Sequence, residues 1–166
     1  SFWLSLTPRV HLSKDWDSAF PRMMSAARLR ARSGGTLFWS VVTHLDHAGD
    51  EARYRQAEML ADWIASRRDP VVLMGDFNDV PGSRTHAVLT AERTGLIDTW
   101  EAMDRGEEGE EAFTHHGFEG VPQKARMDWI LASRSFEVED VRILRDQEGG
   151  RYPSDHFPYL ADLTPR

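Results

Sequence analysis

The stretch Val71-Val72-Leu73-Met74-Gly75-Asp76-Phe77-Asn78-Asp79 sets a short apolar run directly against polar side chains. Such a run, placed just after Asp69-Pro70, reads as a buried strand. On extended backbone, residues two apart share a face, so Asp76 and Asn78 point one way while Phe77 points the other, into the core. Gly75 lets the chain turn sharply or lets a ligand approach the backbone. A carboxylate beside an amide oxygen is a pair of hard donors, which suit Mg2+ or Mn2+ better than zinc. Taken alone, the same residues read more readily as an Asx-type turn facing solvent.

Other stretches shift that balance. His44 ends the apolar segment Val41-Val42-Thr43, Asp128 sits inside Met127-Asp128-Trp129-Ile130-Leu131, and Asp155-His156 lies between Pro153 and Pro158. A strand-end histidine is more often a satisfied structural residue than a catalyst. Asp128 is the more telling case, because a carboxylate among apolar neighbours is heavily destabilised by desolvation unless a donor or a cation meets it. His156 is a fitting partner: an aspartate that accepts one ring N–H fixes the tautomer and raises the basicity of the other nitrogen.

The set Thr43-His44-Leu45-Asp46-His47, Gly75-Asp76-Phe77-Asn78-Asp79, Arg126 to Leu131 and Ser154 to Leu163, in this order, resembles the endonuclease/exonuclease/phosphatase family of metal-dependent phosphoesterases. The resemblance covers nearly the whole chain. It implies a DNase I-like α+β fold, a two-layer β-sandwich with flanking helices, here mainly its C-terminal portion. It implies a cofactor of Mg2+ or Mn2+ held by Asp76, Asn78, Asp155 and His156. By the same resemblance Asp76 and Asn78 position the attacking water, His156 meets the scissile phosphate, Asp128 orients His156, and His44 stabilises the phosphate or protonates the leaving oxygen. His116, in Thr114-His115-His116-Gly117-Phe118, resembles a substrate-side position. Arg126, with Arg142, Arg145 and Arg151, is a candidate basic rim for phosphate, although scattered arginines are more often solvated surface.

The elements that must position these groups follow from periodicity. Ala27 to Arg32 and Thr36 to His44 read as a hairpin around Ser33-Gly34-Gly35. From Asp50 to Arg68 the apolar residues Ala57, Leu60, Ala61 and Ile64 fall at helical spacing, with acidic residues opening the segment and Arg67 and Arg68 closing it. A short helix near Ser83 to Ala91, an acidic solvated loop over Asp104 to Phe113 and closing strands at Arg126–Ser133, Phe136–Leu144 and Phe157–Leu163 complete the pattern. The order predicts a mixed sheet with helices on one face.

The 166 residues fit one domain, 1–166, with enough apolar content, 40%, for a substantial core. A net charge of -7 weakens the expectation of a long nucleic acid as partner, since little counterion release is gained. The absence of cysteine excludes disulfides, thiolate zinc sites and cysteine nucleophiles. His44 and His47 are the nearest approach to a zinc pair, without the spacing and context of a tetrahedral site. No apolar run approaches the ~20 residues of a membrane span. The family's opening strand with an Asn, and the following Glu that is a principal metal ligand, should precede Phe2-Trp3-Leu4-Ser5; the chain therefore reads as N-terminally truncated. Its metal site is then expected to be incomplete, and an apolar sheet face to need cover by rearrangement, self-association or a complementing N-terminal segment. A phosphoester, nucleic acid or small molecule, is the expected substrate; the alternative is a non-catalytic interaction domain that keeps the fold.

Overall fold

The computed structural model describes residues 1–32 and 34–166; Ser33, part of the expected hairpin turn, lies outside the described residues. The strands are β1 (Phe2–Trp3), β2 (Met23–Arg30), β3 (Leu37–His44), β4 (Val71–Asp76), β5 (Leu96–Asp98), β6 (Asp128–Ser133), β7 (Phe136–Ile143) and β8 (Tyr159–Pro165). The helices are α1 (Asp50–Ala65), α2 (Arg84–Leu89) and α3 (Thr99–Ala102). Six strands form one mixed sheet in the order β1-β2-β3-β4-β6-β5, and β7 pairs with β8 in a second, antiparallel sheet. This is the expected α+β sandwich, with two elements that periodicity alone did not reveal: β5 and α3 are too short to show a period.

The core is divided by the larger sheet. On one face Ala57, Leu60, Ala61 and Ile64 of α1 pack with Val41, Leu73, Phe77 and Trp129 in a single cluster. Each such side chain, fully removed from water, contributes roughly 1.5–3 kcal/mol where it is of Leu or Ile size. The carboxylate of Asp17 accepts the backbone N–H of Ala52 at 2.7 Å and so caps α1 from a distant part of the chain. The helix ends at Ala65, so Arg67 and Arg68 lie beyond its last turn, where the Arg67 guanidinium sits 4.6 Å from the Trp63 ring centroid. On the opposite face Val72 and Ala132 meet Phe136, with Phe38, Met74, Ile130 and Leu163 around them. That second layer reaches β3 at Phe38 but leaves Leu29 and Val42, on the same face of β2 and β3, 44% and 50% exposed.

Register is what matters for the site. β3 and β4 are parallel, joined through α1 as parallel strands require, and their register sets His44 level with Asp76. β4 and β6 are antiparallel and set Asp76 level with Asp128. Directly paired residues share a sheet face, so one row across three strands reads His44, Asp76, Asp128. The rows behind it on that face, through Met74 and Ile130, are apolar. Gly75 makes the close approach of β3 and β4 here feasible. Its φ is 150°, and a Cβ at this position would stand 1.9 Å from the Thr43 carbonyl oxygen. Gly75→Ala is expected to destabilise the protein by about 2–4 kcal/mol through forced separation of β3 and β4; an unchanged urea midpoint would show that the register tolerates a side chain there.

Candidate active site

Loops at the end of the polar row close a cavity of about 550 Å³ whose lining includes His44, Asp76, Asn78, Asp128, Asp155 and His156. The structure thus brings together six residues that the sequence leaves up to 112 positions apart. His156 Nδ1 lies 2.6 Å from Asp128 Oδ2, which assigns the proton to Nδ1 and leaves Nε2 directed elsewhere. His44 Nε2 is 3.2 Å from Asp76 Oδ2, and His156 Nε2 is 3.9 Å from the same oxygen. The other Asp76 oxygen accepts the backbone N–H of Asn78 at 2.8 Å. Asn78 adopts φ 49°, in the left-handed region that Asn tolerates better than most residues, and its amide nitrogen donates to the Leu45 carbonyl at 3.0 Å. With that nitrogen committed, the side-chain carbonyl oxygen of Asn78 is the atom available to a ligand. The turn keeps its shape because Phe77, between the two polar residues, is fully buried, stacks on Trp129 at 4.5 Å and donates its backbone N–H to Met127 at 2.8 Å.

The loop carrying His156 is held just as firmly. Phe157 N–H donates to the Thr114 carbonyl at 2.7 Å, while Thr114 Oγ1 accepts from Met127 N at 3.1 Å and Asp128 N at 3.3 Å. Thr114 therefore ties both partners of the Asp128–His156 pair to one point. Beyond the end of β3, Asp46, fully shielded from water, accepts from the backbone N–H groups of Ala19, Phe20, Ala48 and Gly49 and from Ser18 Oγ. Burial alone would raise its pKa, but these donors outweigh burial and hold the carboxyl far below the ordinary carboxylate range. Asp46 fastens the Ser18–Phe20 loop to the end of β3, and with it Arg22, whose Nε lies 3.7 Å from the Asp46 carboxylate.

Electrostatics differ from group to group. Hydrogen bonding to Asp128 raises the His156 pKa above 6.5, against the opposing effect of burial. Burial lowers the His44 pKa below 6.5, with the nearby Asp76 charge opposing it. Burial raises the Asp76 pKa above 3.8 despite the Asn78 N–H, and the Asp128 charge adds to the rise. A basic imidazolium and a carboxylate readier than usual to accept a proton therefore face the same space.

Other expected site residues are placed elsewhere. Arg126 is fully buried and does not line the cavity: its guanidinium binds Asp98 at 2.8 Å and Glu107, with the Trp100 and Tyr159 rings about it. A buried guanidinium is stable there because carboxylates on two sides compensate its charge. The same bond pins Glu107, so the acidic loop is not simply solvated. His116 is also fully buried; its ring stacks on Phe157 at 4.0 Å and its Nδ1 accepts from Gly120 N at 3.1 Å. Arg142 pairs with Asp140 and Asp162, Arg145 donates to the Glu110 carbonyl, and Arg151 sits in the turn after β7. Besides His44 and His156, the basic residues that line the cavity are Arg22, His47, His115 and Lys124. Alternation explains the exchange of His116 for its neighbour. On an extended segment adjacent side chains face opposite ways, and an apolar partner, Phe157, claims His116.

The donor set fits a hard divalent cation: Asp76, Asn78 and Asp155 supply oxygens and His156 one nitrogen from the walls of the same cavity. A two-layer α+β sandwich with this cavity at the end of its central strands defines a phosphoesterase-type scaffold. The profile of the Endonuclease/Exonuclease/phosphatase family matches residues 4–156, and the chain belongs to that family, whose members are hydrolases. Solved structures agree. A family member from Bacteroides vulgatus is 28% identical with a TM-score of 0.86, covering 99% of this chain and 64% of its own. A mannosyl-6-phosphatase from Bacteroides thetaiotaomicron is 29% identical with a TM-score of 0.83, covering 98% and 64%. Another family protein from Bacteroides thetaiotaomicron is 28% identical with a TM-score of 0.82, covering 98% and 62%. The chain thus spans less than two thirds of the length of these structures. Among curated proteins no sequence relative matches.

Because the folded-state pKa of His156 lies above its ordinary value, its pairing with Asp128 stabilises fully below about pH 6.5, and that stability is lost as pH rises through the folded-state value. Asp128→Asn should lower the His156 pKa, as read from its ring-proton titration by NMR; an unmoved titration would mean that the 2.6 Å bond does not set the basicity of the ring.

Proposed function

We propose that this chain is the catalytic portion of a divalent-metal-dependent phosphoester hydrolase, acting on a phosphodiester or phosphomonoester and favouring a small molecule over a long nucleic acid. The observation that carries the reading is the convergence of His44, Asp76, Asn78, Asp128, Asp155 and His156 on one cavity. The cavity volume of about 550 Å³ is in the range of small-ligand sites. The net charge of -7 disfavours extended phosphate backbones. A structure 29% identical to this chain is named as a mannosyl-6-phosphatase.

Mg2+ or Mn2+ bound at Asp76, Asn78, Asp155 and His156 would neutralise charge on the phosphate oxygens. The chain's own groups supply the remainder. Asp76, its pKa raised by burial, accepts a proton from water as that oxygen attacks phosphorus, and Asn78 orients the water. Where the cation is held by Asp76, Asn78 and Asp155 alone, His156, kept protonated by Asp128, places positive charge where the phosphoryl oxygens gain negative charge. As the bond from phosphorus to the leaving oxygen breaks, His44 stabilises that oxygen or supplies its proton.

No glutamate lines the cavity among the described residues. We assign the remaining carboxylate ligand to a complementing segment, which would also cover the exposed face at Leu29 and Val42. That same face is the observation behind the second reading, a non-catalytic interaction domain. Assays of p-nitrophenyl phosphate, its bis ester, a hexose 6-phosphate and single-stranded DNA, with Mg2+ or Mn2+ and with the complementing segment restored, separate the readings. The hydrolase should turn over a small ester, lose turnover on chelation, and lose about 10²–10⁴-fold in His156→Ala. Calorimetric absence of Mn2+ binding together with no turnover of any substrate would instead establish the interaction domain.

A further inference from the structure

His115, like Arg22, His47 and Lys124, lines the cavity without a part in the proposed hydrolysis. Its backbone forms isolated bridges with both Gln123 and His156, which clamps the loop after Phe113 against the loop that carries the catalytic candidates. This fixes the two imidazoles edge to face, with ring centroids 5.1 Å apart and planes at 88°. His115 Nδ1 is shielded from water and has no hydrogen-bond partner. A shielded nitrogen without a partner is unusual enough to call for a ligand or a reason.

One ligand atom from each of His115, Asp155 and His156 lies within 4.8 Å of the other two. Metal–nitrogen and metal–oxygen bonds of about 2.0–2.2 Å put tetrahedral ligand atoms roughly 3.4 Å apart, so small side-chain rotations complete the set. His156 already has the outer partner that metal-binding imidazoles usually have. Its Nδ1 is bonded to the Asp128 carboxylate at 2.6 Å, which orients Nε2 and makes it a better donor. Asp155, apart from a long contact with Ser154 Oγ at 3.4 Å, is free to turn toward the pair.

We propose that His115, Asp155 and His156 form a second cation site, selective for a borderline transition metal such as Zn2+ or Co2+ and distinct in ligand chemistry from the oxygen-rich Mg2+ or Mn2+ set. Two imidazoles and one carboxylate match the preferences of zinc and its neighbours, whereas Mg2+ strongly favours oxygen. The two sets share Asp155 and His156, so they compete. Occupation by Zn2+ withdraws the His156 Nε2 that faces the phosphate, and Zn2+ is therefore an inhibitor of turnover supported by Mg2+. The inhibition rests on the hydrolase reading; the site itself does not.

Co2+ titration of the full chain, followed by its visible d–d absorption and by competition with Zn2+, tests the site without any turnover. The wild type should bind one equivalent with the spectrum of nitrogen and oxygen ligation, and His115→Phe, which keeps a flat ring, should weaken Zn2+ roughly tenfold or more. In the wild type, Zn2+ should shift the ring resonances of His115 and His156 and leave those of His86 unmoved, a readout that does not depend on the variant folding. Equal Zn2+ affinity in a folded His115→Phe protein, or His115 resonances unmoved at saturation, overturns the site. Where turnover is measurable, Zn2+ inhibition should weaken in His115→Phe by the same factor as binding; inhibition of equal strength in both proteins overturns the competition.

Discussion

The whole site depends on strand register. His44, Asp76 and Asp128 meet because β3 and β4 run parallel with His44 level with Asp76, while β4 and β6 run antiparallel with Asp76 level with Asp128. A slip of one residue in either pairing would turn a carboxylate to the helix face and an apolar residue to the cavity. Register is therefore under strong control, and two features supply it. Apolar residues behind the polar row pack into clusters on both faces of the sheet, and Gly75 admits the Thr43 carbonyl where any side chain would exclude it.

Concentrating carboxylates in one row is unfavourable in itself. Asp76 and Asp128 repel each other, and burial raises the pKa of Asp76 further. The histidines offset this unevenly. His156 is bonded closely to Asp128, whereas its distance to Asp76 is 3.9 Å, and His44 is more than half exposed. Oxygens of Asp76, Asn78 and Asp155 line the same cavity. A cation bound there would lower the energy of the folded protein as well as serve chemistry, so metal affinity and stability are expected to be linked.

Much of this was legible in the sequence, and the parts that were not share a cause. Asp128 stood out because a carboxylate inside an apolar run demands a partner, and the structure supplies His156. Phe77 stood out because alternation sends it inward while its neighbours face out. The α1 register was readable from the spacing of Ala57, Leu60, Ala61 and Ile64. Arg126 was misjudged because a charged residue beside a strand is normally a surface residue; its burial depends on Asp98 and Glu107, which lie 28 and 19 positions away. His115 and His116 were exchanged because facing is decided by tertiary contact, here the stacking of His116 on Phe157. Asp46 gave no local signal, since its donors come from Ser18 to Phe20 as well as from the turn that follows it.

Among the described residues, two clusters bring histidine and carboxylates within ligand distance outside the polar row, and physical saturation separates them. In the first, His86 accepts from Gly82 N at one ring nitrogen and meets Asp98 at 2.9 Å with the other. Asp98 also accepts from Arg126 and from Trp100 N. With both imidazole nitrogens engaged and the aspartate neutralised by a buried guanidinium, this cluster is closed and acts as a structural knot. In the second, His115 has a shielded nitrogen without a partner and Asp155 has one long contact, while Lys124 and the shared His156 lie near His115. Composition and proximity are alike in the two; the difference is the number of donors and lone pairs left over. That remainder, set by how completely the surrounding chain satisfies each group, is what makes the cavity at the end of β4 chemically open and the knot beneath α2 inert.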